Sequence, residues 1–172
     1  DFYKQKEYNK AKAVYYRLNQ SVPEKDELKK DFLRLKTALC IMRGGRLEEA
    51  DRIFNETARS KSHIVQLMTN YHRISLDMQR KQYLNARKRA YRAIALIAAV
   101  DINTNLASAL RSSCYFLIAE TMTRNVLSLS DDDSDLPGEL WSTSAEIDPF
   151  ADLDNDQLQK LLKSGEDYLA NA

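Results

Sequence analysis

Three stretches of this chain share one outline: "KQKEYNKAKAVYYRL" from Lys4, "GGRLEEADRIFNETA" from Gly44 and "RKQYLNARKRAYRAI" from Arg80. Aligned on their alanines, they read Tyr8-x-x-Ala11-x-x-x-Tyr15, Leu47-x-x-Ala50-x-x-x-Phe54 and Tyr83-x-x-Ala86-x-x-x-Ala90. The alanines lie 39 and 36 residues apart, a period that marks stacked helical hairpins. The small residue lets two antiparallel helices approach closely, and an aromatic ring one turn later fills the space beyond it. Only four Gly and three Pro interrupt a sequence rich in good helix formers, so strands are not expected.

The expected helices follow from this alignment. Residues 1–5 read as the end of a truncated first helix and 8–21 as its partner. Then come 25–43 with 47–60, and 63–80 with 83–99. A long helix over 103–128 has "DINTN" (Asp101–Asn105) to cap it and Leu106, Leu110, Cys114 and Leu117 as its buried stripe. After Ser128 the composition changes to "SLSDDDSDLPGELWSTSAEIDPFADLDND", a long segment without helical period, which in a compact chain is functional or disordered. A final amphipathic helix is expected near 155–170, with Leu158, Leu161, Leu162, Tyr168 and Leu169 on one face. The domain organisation read this way is 1–128 helical repeats, 129–154 acidic irregular segment, and 155–172 capping helix.

The repeat resembles the tetratricopeptide repeat family, whose pattern is W-x2-L-G-x2-Y, then A-x3-F, then P. "FYKQKEYNKAKAVYYRLNQSVPE" carries Tyr8, Ala11, Tyr15 and the closing Pro23, which cannot continue a helix interior. First-helix counterparts are Thr37-Ala38-x-x-Ile41, Ile74-Ser75-x-x-Met78 and Ser113-Cys114-x-x-Leu117. The later copies depart from the family, with Ser62 and Ala98 where the proline belongs and Ala90 at an aromatic position. HEAT-like and other α-solenoid hairpins fit the same spacing. The resemblance implies an all-α solenoid of stacked antiparallel hairpins that acts as a non-catalytic interaction scaffold.

In such a stack the first helices line a concave face. The resemblance therefore nominates Leu35, Leu39, Met42 and Arg43, then His72, Leu76, Gln79 and Arg80, then Arg111, Tyr115 and Ile118, as a groove for a peptide or helix. The alternative for each is a place in the core.

Charge divides the chain. Residues 1–100 hold 22 Lys and Arg against 11 Asp and Glu, and residues 101–172 hold 4 against 14. This asymmetry points to two separate partners, one of them acidic, or to the acidic segment lying on the basic repeats through Leu136, Leu140, Trp141, Ile147 and Phe150. Self-association into a homodimer is a rival use of the exposed first hairpin. A second rival is nucleic-acid binding through Arg80, Lys81, Arg87, Lys88, Arg89 and Arg92, although no nucleic-acid module accompanies that patch and a solvated face is the simpler account.

Little else carries chemistry. Asp152, Asp154 and Asp156 imitate the start of a calcium loop, but Gln157 replaces the required glycine and Lys163 the bidentate glutamate. His63 and His72 have no partners resembling a nucleophile triad or a zinc site, so no enzyme activity, metal or cofactor is expected. Cys40 and Cys114 lie in apolar helical patterns and read as reduced, buried thiols. The longest apolar run, "AIALIAAV" (Ala93–Val100), is well short of the roughly 20 residues a membrane span needs. The expected location is cytoplasmic.

Overall fold

A computed structural model describes residues 2–100, 102–127, 150, 153 and 155–170. Among these residues the chain is all-α, with seven helices and no strand. They are α1 (Tyr8–Ser21), α2 (Glu27–Arg43), α3 (Leu47–Thr57), α4 (His63–Gln79), α5 (Tyr83–Ala99), α6 (Thr104–Leu127) and α7 (Asn155–Ala170). Two compact units divide the chain at Thr69 and Asn70, inside α4. The residues at the boundaries expected at 128 and 154, and most residues between them, lie outside those described.

Where helices start and stop follows local chemistry. Val22 is extended at φ −75° and ψ 131°, as the residue before a proline prefers, and Pro23 ends α1. α2 starts two residues later than expected, at Glu27, because the Asp26 carboxylate accepts a hydrogen bond from the Lys29 N–H at 3.1 Å. That satisfies one of the donors a helix start leaves open. α3 stops at Thr57 rather than 60. The Thr57 hydroxyl turns back to the Phe54 carbonyl at 3.3 Å, and the Ser60 carbonyl accepts from Gln66 Nε2 at 2.7 Å. Asn103 caps α6, its Oδ1 accepting from the N–H of Asn105 at 2.7 Å and of Leu106 at 3.4 Å.

The repeated sequence is a repeated structure. Before α1, α3 and α5 the backbone takes one positive-φ residue: Lys6 at 58°, Gly45 at 80° and Lys81 at 57°. The residue after it opens the next helix with nearly the same torsions each time: Glu7 (−83°, 61°), Arg46 (−91°, 72°) and Gln82 (−90°, 59°). Two hydrogen bonds close each turn. Lys6, Gly45 and Lys81 donate to the carbonyls of Tyr3, Met42 and Met78, while Glu7, Arg46 and Gln82 donate to those of Phe2, Ile41 and Asp77, all between 2.8 and 3.1 Å. This is the left-handed helix stop that satisfies the orphaned last carbonyls. Only the second copy uses glycine for it. Where a helix end is expected over residues 1–5, the described residues 2–6 form turns instead, closed by bonds equivalent to those that end α2 and α4.

Within the first unit α2 packs on both α1 and α3. With a neighbour on two sides, it buries Leu33, Leu35 and the unbroken run Thr37–Met42. The repeat alanines Ala11 and Ala50 are buried, and Phe54 is fully enclosed, as close helix approach requires. A cleft of about 570 Å³ is lined by Lys6, Glu7 and Lys10 from the first turn and by Gly44 and Arg46 from the second. The equivalent turns before α1 and α3 thus lie side by side in this unit. The Thr57 and Thr69 hydroxyls meet at 2.9 Å in the interior and tie α3 to the start of α4.

In the second unit α5 packs on α6. α5 turns Tyr83, Ala86, Ala90, Ala93 and Ile97 inward, and α6 presents Ala107, Leu110, Cys114, Leu117, Ile118 and Thr121. The buried Asp77 carboxylate receives the Arg89 guanidinium at 2.5 Å, bridging the three-residue turn between α4 and α5. Glu120, also buried, pairs with Arg124 at 2.8 Å. α7 buries Leu161 and Leu162. Its first turns share a cleft of about 340 Å³ with Ile102, Asn103 and Leu106 at the start of α6.

Candidate binding site

From Asn70 to Met78, α4 is buried at every position, although its sequence there is half polar: Asn70, His72, Arg73, Ser75 and Asp77. A helix enclosed on all sides is ordinarily apolar all round, so this stretch is built to meet other polar and aromatic groups. One of them is Phe150. Its ring lies 5.9 Å from Tyr71 at an interplanar angle of 84° and 5.8 Å from His72 at 55°. Tyr71 and His72 are themselves 5.8 Å apart, edge to face at 85°. Three rings therefore form one mutual cluster. In the two edge-to-face pairs, Tyr71 with His72 and Tyr71 with Phe150, the positive rim of one ring meets the negative face of the other, a geometry that contributes about 0.5–1.5 kcal/mol per pair beyond burial. Phe150 is 2% exposed, and burying such a side chain stabilises by about 1.5–3 kcal/mol. The Phe150 carbonyl accepts from the Leu153 N–H at 3.4 Å.

The nominated groove residues separate into two groups. Leu35, Leu39, Met42, His72, Leu76 and Ile118 are buried, so the apolar floor expected for a ligand belongs to the interior. The reason on α2 is its two flanking helices, which use the faces that a single-neighbour count leaves over. At His72 the cover is Phe150. Gln79, Arg111 and Tyr115 are exposed, and Arg43 and Arg80 half-buried. Leu35 to Arg43 belong to the first compact unit and the others to the second.

The basic patch is thinner than its sequence. Arg89 is committed to Asp77, and Arg80 and Arg87 are half-buried. Lys81, Lys88 and Arg92 remain exposed, beside the exposed Leu84 and Tyr91. Tyr71 and Asp77 were not foreseen. The signal available for them was a polar, aromatic stretch in the middle of a helix with hydrophobic repeats on either side.

Both thiols are free and buried. Burial pushes Cys114 up to about 12. It pushes Cys40 up to about 11, against the lowering pull of Lys36 and Lys12. Tyr15 is raised as well, by burial first and then by Cys40 beside it. Among the described residues no group of three or more His, Cys, Asp or Glu is placed to hold a metal ion. No described helix is long and apolar enough to cross a membrane. No family model matches the chain, and no curated protein or solved structure matches it either.

Proposed function

We propose that the chain is a non-catalytic protein-interaction scaffold built from tetratricopeptide-like hairpins, which binds a partner peptide or helix at α4 and is masked there by its own acidic segment. The supporting observation is Phe150, a described residue of that segment, seated against Tyr71 and His72. A ring inserted from a distant part of the chain into a polar, enclosed helix is how a built-in ligand docks. The three equivalent turns and the side-by-side placement of two of them support stacking in series, and preformed helices lower the ordering cost of association. Two free thiols fit a reducing, cytoplasmic setting.

The test is capture of peptides from a randomised pool by the intact chain and by a chain lacking residues 130–153. Unmasking predicts that the deletion retains more peptide, enriched in acidic sequences. Retention no greater than that of the urea-unfolded chain, by both forms, refutes the scaffold reading.

A second reading, self-association, is favoured by one surface. Tyr115, Phe116, Met122 and Val126 are exposed along the second half of α6, and exposed apolar rows of this kind mark interaction surfaces. Sedimentation over a concentration series tests it: mass rising toward twice that of the chain supports a dimer, and constant mass removes it.

A further inference from the structure

We infer that Tyr71 and His72 on α4 form a socket for the phenylalanine of an acidic peptide, with Phe150 as the chain's own occupant. The inference rests on the scaffold reading above and names the ligand chemistry of that site. Shape comes first. Three mutually packed rings, each within 6 Å of the others, define a space that an aromatic side chain fills and that a shorter apolar one leaves partly empty.

Charge comes second. Between residues 70 and 127 the chain carries nine Lys and Arg against three Asp and Glu. Two of those acids, Asp77 and Glu120, already hold Arg89 and Arg124. Lys88 and Arg92 stand exposed on α5, whose sequence contains no acidic residue. Exposed cations of this kind attract negative charge over about 8–10 Å at moderate salt. Phe150 arrives with matching chemistry, following Glu146 and Asp148 and preceding Asp152 and Asp154 in the sequence.

An external ligand of the same kind competes with a tethered one. Tethering gives the internal ring an effective concentration in the millimolar range, so a peptide in trans binds poorly until Phe150 leaves. The occupied socket therefore makes release of Phe150 the controlling step for partner binding.

The experiment uses the full chain and a fluorescein-labelled peptide AEIDPFADLDND, the sequence of residues 145–156, read by anisotropy. Phe150→Ala is expected to bind it at least ten-fold more tightly than the unaltered chain. On Phe150→Ala, replacing the peptide's Phe by Ala should cost at least ten-fold, as should adding Tyr71→Ala to the protein. Exchanging the peptide's acids for amides should weaken binding and flatten its salt dependence. If Phe150→Ala loses its helical circular dichroism signal, Phe150→Leu takes its place under the same criteria. Equal affinity for the unaltered chain and the variant overturns the inference, and so does equal affinity for peptides with and without Phe. Binding of a single-stranded RNA oligonucleotide in place of the peptide also overturns it. If the acidic peptide fails while neutral peptides from the randomised pool bind Phe150→Ala, the ligand chemistry is wrong and the scaffold reading stands. If no peptide binds either form, both fall.

Discussion

Gly44 and Gly45 are neighbours in the turn between α2 and α3, and replacing each by alanine should have different consequences. At Gly45 a new Cβ meets nothing within 4 Å, so sterics with the rest of the protein are absent and the whole cost lies in φ at +80°. An L-residue in left-handed backbone is disfavoured by about 1–2 kcal/mol, and the stiffer unfolded chain offsets about 0.4–1 kcal/mol of it. Gly45→Ala should therefore destabilise by about 1 kcal/mol. Gly44 sits at φ −81° and ψ 7°, which alanine adopts. Its Cβ would lie 3.3 Å from the Cys40 carbonyl and 3.4 Å from that of Ile41, a tight approach that consumes most of the same unfolded-state gain. Gly44→Ala should stay within about 0.5 kcal/mol of the unaltered chain. Urea unfolding followed by circular dichroism measures both, with a common slope identifying the midpoint shift as a stability change. If the two variants unfold at the same midpoint, the account of the repeated left-handed turn is wrong, because φ is the principal difference between the two sites.

Asp77→Ala leaves the Arg89 guanidinium, 23% exposed, without its buried partner and should cost about 3 kcal/mol. Removing Glu27, 66% exposed and paired with the 83% exposed Lys61, should change stability by less than about 1 kcal/mol. Equal losses in chemical denaturation would remove burial as the deciding factor. Cys40 and Cys114 should resist iodoacetamide at pH 8 in the folded chain and react fully in urea, since the thiolate is the nucleophile. A folded chain labelled as fast as the unfolded one refutes this. Because the unfolded thiols ionise near 9.0 and the folded ones near 11 and 12, the folded state retains protons that the unfolded state has released. Stability should fall as pH rises from about 9 toward 11–12, and a flat denaturation midpoint across that window contradicts it.

Most helix limits were legible because they are written locally. Pro23 stops α1, and the alternation of apolar and polar residues sets α5 at 83–99 and α7 at 155–170, the limits the structure has. The "DINTN" stretch caps α6 as its residue types predict, through Asn103. The alanine alignment located the turns before α1, α3 and α5. It did not reveal that Lys6 and Lys81 adopt the conformation of Gly45, because lysine carries no signal for positive φ and takes it only where the closing hydrogen bonds demand it.

The groove was less legible, for a physical reason. Counting helical faces assigns leftover residues to solvent, but Leu35, Leu39 and Met42 lie on a helix with neighbours on two sides, and a neighbour's position is not encoded within one helix. The ring cluster is further still from local reading. Phe150 lies 78 positions from His72; its charge context and apolar side chain mark it as an anchor onto the basic repeats, but neither segment specifies Tyr71 and His72 as its partners. Sequence by itself determined the helices, their caps and the thrice-used turn, because each depends on interactions between residues a few positions apart. Tertiary structure alone decided which side chains are enclosed, which arginines are spent on carboxylates and which ring occupies α4. Those outcomes depend on desolvation and close packing between segments far apart in the chain.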